Sequence, residues 1–380
     1  MMSTRRACLA LSLVSEPGDP RLVPLLAENE PAQIVADLLG GPSAKASLPG
    51  AWVERADRLE RLVKETLDRA KTAGLRWLAR SDPGWPDQLA DLDHLQPLNG
   101  ATGAPLGLWL RGNGNLARLT HSSVAIVGAR DATTYGSEVA SDLGADVSDT
   151  GLTVVSGAAY GIDACAHRGA LAMGKPTIAV LASGADVDYP RAHTALLSRI
   201  ADKGLVVSEQ APGATPLKAR FLSRNRLIAA LTQGTVVVEA ARRSGSLNTL
   251  NWADQLGRST MAIPGPVTSQ ASVGVHEAMR TGQAMLVTKG SDIVEVLGGL
   301  GAEASGPERA PETLFDVMSS TARRTLDAVP WSPPRSVAEI AGELRISAAV
   351  AQQHLLDLEA KGYVARLAQG WTLVRRADLA

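Results

Sequence analysis

The sequence predicts an α/β protein built on a doubly wound parallel sheet, and three observations lead there. Short β-branched runs recur: SVAIVG (123–128), LTVVSG (152–157), TIAVLA (177–182), LVVSE (205–209), TVVVEA (235–240) and MAIPG (261–265), with AMLVT (284–288) offering a seventh. Helical stretches separate them, and such alternation builds βαβ units whose sheet is covered on both faces. The runs also end in small or polar residues, as strands do where a ligand meets their carboxyl ends.

The flanks have a different texture. Residues 5 to 70 are rich in leucine and alanine at helical spacing and are broken at EPGDP and GGPSAKASLPG, which predicts several short helices. LRWLARSDPGWPDQLADL, from Leu75, reads as a short strand, a Pro-Gly turn and a helix. Residues 298 to 313, GGLGAEASGPERAPET, form a small-residue and proline linker. Beyond it, VAEIAGEL reads as a helix, RIS as a turn, AAVAQQHLLDLEAKG as a second helix, and YVARLAQGWTLV as two strands around Gln369-Gly370. Helix, turn, helix and hairpin make a winged helix-turn-helix. The expected organisation is therefore a helical domain at 1–74, an α/β domain at 75–297, a linker at 298–317 and a winged helix-turn-helix domain at 318–380.

The bulk numbers bound the function. A chain of 380 residues is too long for one ordinary core. Its net charge of −1 means that any basic patch is local. Two distant cysteines, Cys8 and Cys165, make neither a disulfide framework nor a zinc site, which fits a reducing cytoplasm. Arg5-Arg6 and the apolar run Ala7 to Val14 superficially resemble a signal peptide. Ser12 interrupts that run and SEPGDP follows it without a small-residue cleavage site, so it reads as a turn of core helix. No segment approaches the ~20 apolar residues of a membrane span, so no membrane partner is expected.

Nucleotide-binding motifs are missing. The first turn, VGARDATTYG, lacks GxGxxG, the second strand ends in Ser156-Gly157 rather than an acidic residue, and GxxxxGK[ST] occurs nowhere. A dinucleotide or other cofactor is not expected. What remains is the series of strand ends: Gly128-Ala129-Arg130, Ser156-Gly157-Ala158, Ser183-Gly184, Ser208-Glu209 and Ala240 to Ser246. Glycines there let a ligand approach backbone amides, and helix starts add donors for anions. Turn geometry alone also calls for Gly and Ser.

The stretch Phe221 to Asn248, FLSRNRLIAALTQGTVVVEAARRSGSLN, tips this balance. Ser223 reads as the N-cap of a helix that begins with Arg224-Asn225-Arg226. Cations in a first turn oppose the helix field unless an anion shares the place. Lys218, Arg220, Arg224, Arg226, Arg242 and Arg243 face only Glu239 between 215 and 246, a local net charge of +5. The bland reading is a solvated face whose arginines pair elsewhere. The functional one is a polyanion held by amides, dipole and guanidinium forks. Phe221, one of two phenylalanines, either stacks on a base or packs as a staple. Single-stranded nucleic acid is the leading reading.

Catalytic constellations are weaker. Asp163 and His167 in GIDACAH are four apart, yet a first-turn carboxylate and a hydrogen-bonded packing histidine explain them equally. Asp186, Asp188 and His193 in GADVDYPRAH invite a similar guess. No GxSxG elbow occurs. Glu209 and Glu239 end strands and either act as acid/base or orient the arginines. Neither a catalytic set nor a metal site stands out, and a non-enzymatic protein is expected.

The ordered series VAIVGAR, VVSGAAYGIDACAH, TIAVLASGADVDYP, SEQAPGATP, FLSRNRLIAAL, VVVEAARRSGSLNT and MAIPG resembles the DNA-processing protein A family (DprA, also called Smf). The resemblance covers residues 75 to 290 closely and the two ends by architecture. It implies an N-terminal sterile-alpha-motif-like (SAM-like) helical domain, an extended Rossmann-like domain that binds single-stranded DNA, and a winged-helix tail. It further implies a role in natural transformation: protecting incoming strands and helping to load the RecA recombinase, as a homodimer formed through the Rossmann domain. Carried over by position, the strand-contacting residues are Gly128 and Arg130 of the GAR turn, Ser156, Gly157, Lys218, Phe221, Arg224, Asn225, Arg226, Ser244, Gly245 and Ser246. On this reading, Arg224→Ala with Arg226→Ala weakens binding without unfolding the chain.

The chain also departs from the family pattern. Ala129 replaces a hydroxyl residue, Tyr160 stands where a basic residue is common, SVGVHEAMRTGQA (272–284) has diverged, and EPGDP lacks a glycine hairpin for gripping DNA. The second helix of the tail offers Gln352, Gln353 and His354 beside Asp357 and Glu359, with only Lys361 basic. Protein docking or weak duplex contact suits it as well as sequence reading does. Two other readings compete. One is a nucleotide phosphoribohydrolase resembling the lysine-decarboxylase-like proteins, whose PGGxGT turn ARRSGSLNT matches only loosely. The other is a ligand-sensing transcription regulator.

Overall fold

The computed structural model describes residues 2–298 and 318–374, so the expected linker lies outside the described residues except for Gly298. These residues fall into two compact units, one on each side of that gap.

The first unit is built on a nine-stranded sheet: β1 (Arg76–Ala79), β2 (Gly107–Arg111), β3 (Ser123–Val127), β4 (Thr153–Ser156), β5 (Thr177–Leu181), β6 (Leu205–Ser208), β7 (Gly234–Val237), β8 (Ser259–Ala262) and β9 (Met285–Leu286). Their order is β1-β2-β6-β5-β4-β3-β7-β8-β9. All seven expected strands are present, and those from β6 to β9 pair in parallel. The sheet is nevertheless mixed. β2 pairs antiparallel with both β1 and β6. GLWLR carries no β-branched residue, so the periodic signal of a strand is weak there. Gly107 is required in it, because a Cβ would stand 2.2 Å from the Trp77 ring.

Residues alternate across the sheet as the pleat demands. In β3, Val124 and Ile126 pack towards α8 (Thr134–Asp149), α9 (Ile162–Ala172) and α14 (Gly290–Gly298). Ala125 and Val127 pack towards α11 (Lys218–Ala230), α12 (Gly245–Gln255) and α13 (Val273–Arg280). A further layer forms where α10 (Thr194–Lys203) meets α9. The short α7 (Leu116–His121) joins β2 to β3. Crossovers change direction between β3 and β7, which opens a crevice at the carboxyl ends of those strands.

Six helices precede the sheet: α1 (Thr4–Val14), α2 (Leu22–Glu28), α3 (Pro31–Leu39), α4 (Pro42–Lys45), α5 (Gly50–Ala56) and α6 (Leu59–Thr72). The apolar run Ala7 to Val14 lies in α1, five of its first residues being buried outright, as a core helix requires. One apolar cluster continues from α1, α3 and Trp52 into Trp77, Leu106, Trp109 and Ala185. The two indole rings of Trp77 and Trp109 meet at 4.8 Å. Helices and sheet thus share a core.

The second unit contains α15 (Ser320–Asp327), α16 (Val337–Leu344), α17 (Ala348–Ala360) and the antiparallel hairpin β10 (Val364–Leu367) and β11 (Gly370–Leu373). Ser336 and Glu339 form a capping box at the start of α16. Leu326, Ile340, Leu355, Leu358, Val364 and Trp371 make its core. The hairpin turns at Ala368-Gln369, one residue earlier than the sequence suggests, since Leu367 pairs with Gly370.

Helix α11 departs most from expectation. It begins at Lys218 after Leu217, and Ser223 is not its cap; the Ser223 hydroxyl donates back to the Arg220 carbonyl at 3.3 Å. Arg224 and Arg226 therefore lie beyond the first turn, where the end field has faded. Ser223, Arg224, Asn225 and Arg226 are four consecutive buried polar residues. Residues 100° apart cannot all face one side, so from Ser223 to Ala230 this helix is enclosed all round.

Arg226, assigned to the strand-contacting set by the sequence, is fully buried. Both its Nη atoms reach Glu209 at 2.7 Å, and its Nε donates to the Gly103 carbonyl at 3.1 Å. It cannot meet a phosphate from there. Removing one member of a buried pair strands the other. Arg226→Ala should therefore lower stability by about 3–5 kcal/mol in urea unfolding, contrary to the expected harmless loss. Glu209→Ala added to it should cost much less than the sum.

Candidate nucleic-acid interface

A cleft of about 860 Å³ occupies the crevice at the direction change between β3 and β7. Of the residues expected to contact a strand, Gly128, Arg130, Lys218, Phe221, Arg224, Asn225, Ser244, Gly245 and Ser246 line it together. Ser156, Gly157 and Arg226 do not. Ser156 is buried, and its hydroxyl donates to the Ile126 carbonyl at 2.6 Å, closing β4 against β3. Gly157 is buried beneath the cleft because the Arg224 guanidinium occupies the space of its absent side chain; a Cβ would lie 2.1 Å from Nη1.

Arg224 and Asp163 shape that floor. The guanidinium donates to the carbonyls of Gly157, at 2.9 Å, and Val180. The Asp163 carboxylate accepts from the amides of Gly157 at 3.1 Å and Ala159 at 3.4 Å. Between them the β4–α9 turn is gripped by its carbonyls and its amides, although Ala158 sits at a φ of 51°. Burial lowers Arg224 to about 10, with Asp163 opposing, and burial raises Asp163, with Arg224 opposing.

Asn225 carries the same network to the opposite wall. Its amide donates to the Gly245 carbonyl at 3.1 Å and to Asn248 Oδ1 at 3.2 Å, while its own Oδ1 accepts from Arg224 Nε at 3.2 Å. Gly245 opens α12, capped by Ser244, whose hydroxyl accepts from the Ser246 amide. That wall thus presents a helix start of positive polarity to the cleft.

The cluster of six cations resolves into distinct jobs. Arg226 pairs with Glu209 and Arg220 with Glu16 at 3.5 Å, while Arg224 is buried. Arg242 lies in an adjoining groove beside Glu277. Lys218 and Arg243 remain exposed at the cleft with no carboxylate within 4.0 Å among the described residues. Arg130 joins them, its guanidinium 4.6 Å above the Phe221 ring. Phe221 is half-buried, and Tyr189, a cleft residue that sequence reasoning missed, stands 5.8 Å from it. A tyrosine just before Pro190 and beyond the end of β5 was the available signal.

The acidic and histidine candidates all have partners within the fold. Glu239 accepts from the Thr133 amide and hydroxyl at the start of α8 and orients no arginine; Glu209 does orient Arg226. Asp186 pairs with Arg69 and Asp188 with Arg111. His193 Nδ1 meets the Ala158 carbonyl at 3.0 Å. His167 is buried with Nδ1 2.8 Å from the Thr177 hydroxyl, and burial lowers it to about 3. Among the described residues no three His, Cys, Asp or Glu side chains gather as metal ligands.

Two outcomes follow. Arg224→Ala should destabilise by about 3–5 kcal/mol, because it removes the buried positive charge near Asp163 and leaves the Gly157 and Val180 carbonyls without their donor. Adding Asp163→Asn should restore only the part of the loss that comes from the uncompensated charge, in the same urea titration. His167 holds its proton more weakly folded than unfolded, so its contribution is complete above pH 6.5 and lost as pH falls towards 3. Stability should fall by roughly 1.4 kcal/mol per pH unit below 6.5 from this group. His167→Gln should flatten the profile by that amount.

The comparisons with known proteins agree with this architecture. The chain is 41% identical over 350 residues to a putative DNA processing protein DprA of Mycobacterium tuberculosis, covering 89% of this chain and 86% of the relative. It is 35% identical over 279 residues to protein Smf of Escherichia coli, covering 70% and 71%. Among solved structures, DNA processing protein A of Streptococcus pneumoniae is similar at a TM-score of 0.63 and 32% identity, over 78% of this chain and 98% of that one. The Helicobacter pylori protein, solved in a study of its single-stranded DNA binding mode, is similar at 0.50 and 26%, over 59% and 97%. The family model of DNA recombination-mediator protein A matches residues 76–298. With that match across the sheet and identity along most of the chain, the protein belongs to the DNA recombination-mediator protein A family.

Proposed function

We propose that this protein binds single-stranded DNA in the cleft between the β3 turn and the start of α12. The observation that carries the reading is a rim of Arg130, Lys218 and Arg243 around a helix start, with Phe221 beneath Arg130. Exposed cations and backbone donors suit phosphates, and a ring among them suits an unpaired base. Carbonyl- and carboxylate-bound Arg224 and Arg226 support the walls instead of touching the strand. Gly128 lets the β3 turn pack against Ile162, where a Cβ would stand 2.5 Å away, and so fixes one wall; Ser244, Gly245 and Ser246 offer the opposite wall.

Family membership extends the proposal. In this reading the chain acts in the cytoplasm as a homodimer formed through its Rossmann-like sheet. It protects incoming single strands in natural transformation and helps load the RecA recombinase, with no catalytic step of its own. The helices before the sheet serve as a SAM-like domain, and the C-terminal unit is a winged helix whose weakly basic second helix suits protein docking or slight duplex contact.

Fluorescence anisotropy of a labelled single strand and its duplex, titrated across salt, tests the core of this reading. The single strand should bind tightly with a steep salt slope, and the duplex far more weakly. Lys218→Ala with Arg243→Ala should weaken binding at least tenfold and reduce the slope by about 1.4, two contacts at ~0.7 each. An unchanged slope would remove these cations from the interface. Absence of binding by either form would sink the reading and turn attention to nucleoside monophosphates.

A further inference from the structure

Helix α17 is apolar on two faces. Ala351, Leu355 and Leu358 turn inwards to the core of the C-terminal unit, and His354 on their flank lies 3.1 Å from the Thr325 hydroxyl. Ala349, Gln353, Leu356 and Ala360 turn outwards and are exposed, Leu356 to 42%, with Val350 beside them at 43%. The outward residues are spaced four, three and four apart, the 3.5-residue repeat with which one helix offers a narrow seam to another. A face that meets only water normally carries charge instead.

The charges on α17 point the same way. Between Ser347 and Ala360 there is no lysine or arginine, so the outward ridge gives a phosphate chain nothing to hold. Asp357 and Glu359 stand near the carboxyl end, where the helix field is itself negative, and the first turn carries no carboxylate. Only Lys361, the C-cap residue, offsets them. At the other end the Ser347 hydroxyl caps the helix just after the exposed Arg345. Such a helix is ill matched to DNA but complementary to its own reverse. An antiparallel copy sets each negative end against the positive end of the other.

We propose that α17 is a self-docking helix, which pairs antiparallel with α17 of a second copy of this chain. In that pairing Ala349 lies opposite Ala360 of the second copy, and Gln353 lies opposite its Leu356. Alanines at both ends let the backbones approach, and Leu356 supplies the apolar area. Gln353 is a polar residue in the seam, of the kind that fixes register at a cost in strength. The contact is isologous, so it closes on two chains and does not propagate. A seam this short is weak alone and becomes effective between chains already held together elsewhere. The inference takes the protein-docking side of the reading given for the C-terminal unit and does not depend on the strand-binding cleft.

Cysteine pairing in the full chain tests it, in a Cys165→Ser background that leaves only the buried Cys8. Ala349→Cys with Ala360→Cys in one chain should form disulfide-linked dimers under mild oxidation at least tenfold faster than either single variant. The two positions lie about 16 Å apart along one helix, too far for a bridge within the chain. Adding Leu356→Asp should slow the linking at least tenfold, and adding Gln353→Leu should speed it, with both variants unfolding in urea like the parent. Should Leu356→Asp unfold the unit, the gain with Gln353→Leu decides alone. Single variants that link as fast as the double overturn the antiparallel pairing. So does a rate that ignores the seam substitutions. If Leu356→Asp weakens binding to duplex DNA while linking is unchanged, the face reads nucleic acid and the proposal fails. Single-strand binding should be the same in every variant, so losing this inference leaves the cleft reading untouched.

Discussion

Four consecutive buried polar side chains on one helix impose the constraint on which the functional edge depends. A charged or hydrogen-bonding group taken out of water must find partners, and the partners must come to it. Around α11 they come from everywhere: Glu209 from the end of β6, Gly103 from the loop before β2, Gly157 and Val180 from the ends of β4 and β5, and Gly245 from the start of α12. The segment Ser223 to Arg226 thus works as a polar axle that fixes several loops in one register. Apolar packing could hold the helix, but it would not specify where each loop sits.

This division of labour separates two kinds of arginine that look alike in sequence. Arg224 and Arg226 carry permanent charges inside the fold, and their directional donors set the backbone. Arg130 and Arg243 project from the walls so fixed. Pre-organisation follows, because exposed groups that must receive a flexible ligand gain most when their supports do not move. The Gly157–Arg224 contact gives the point its sharpest form. A missing side chain on one strand end is the space into which a charge from another element fits.

The fold was readable because buried parallel strands leave compact β-branched runs, and every one of the seven became a strand. β2 was not, since Gly-Leu-Trp-Leu-Arg is stabilised by the Trp77 ring across the sheet and not by local propensity. The strand-end residues Gly128, Arg130 and Ser244 to Ser246 were readable for the same topological reason. The roles of Arg224 and Arg226 were not, because charge patterning along the chain says nothing about burial. Ser223 misled in a related way: a serine before a basic run has the composition of a cap, but the helix had already started at Lys218. Tyr189 became visible only when β5, its following loop and α11 were brought together.

The apolar cluster that runs from α1 through Trp52 into Trp77 and Trp109 alters how this protein can be dissected. The change of texture near residue 75 looks like a natural place to cut, and the antiparallel flank of the sheet begins just beyond it. A fragment starting there would keep every strand yet bare one side of two indoles in tilted contact and of Ala79, Leu106 and Ala185. It would also remove Glu16, the carboxylate beside Arg220 in the first turn of α11. Any property measured on such a fragment, charge at the cleft included, would belong to a sticky and locally more basic particle. The first seventy residues are better regarded as a wall of the sheet than as an appendage to it.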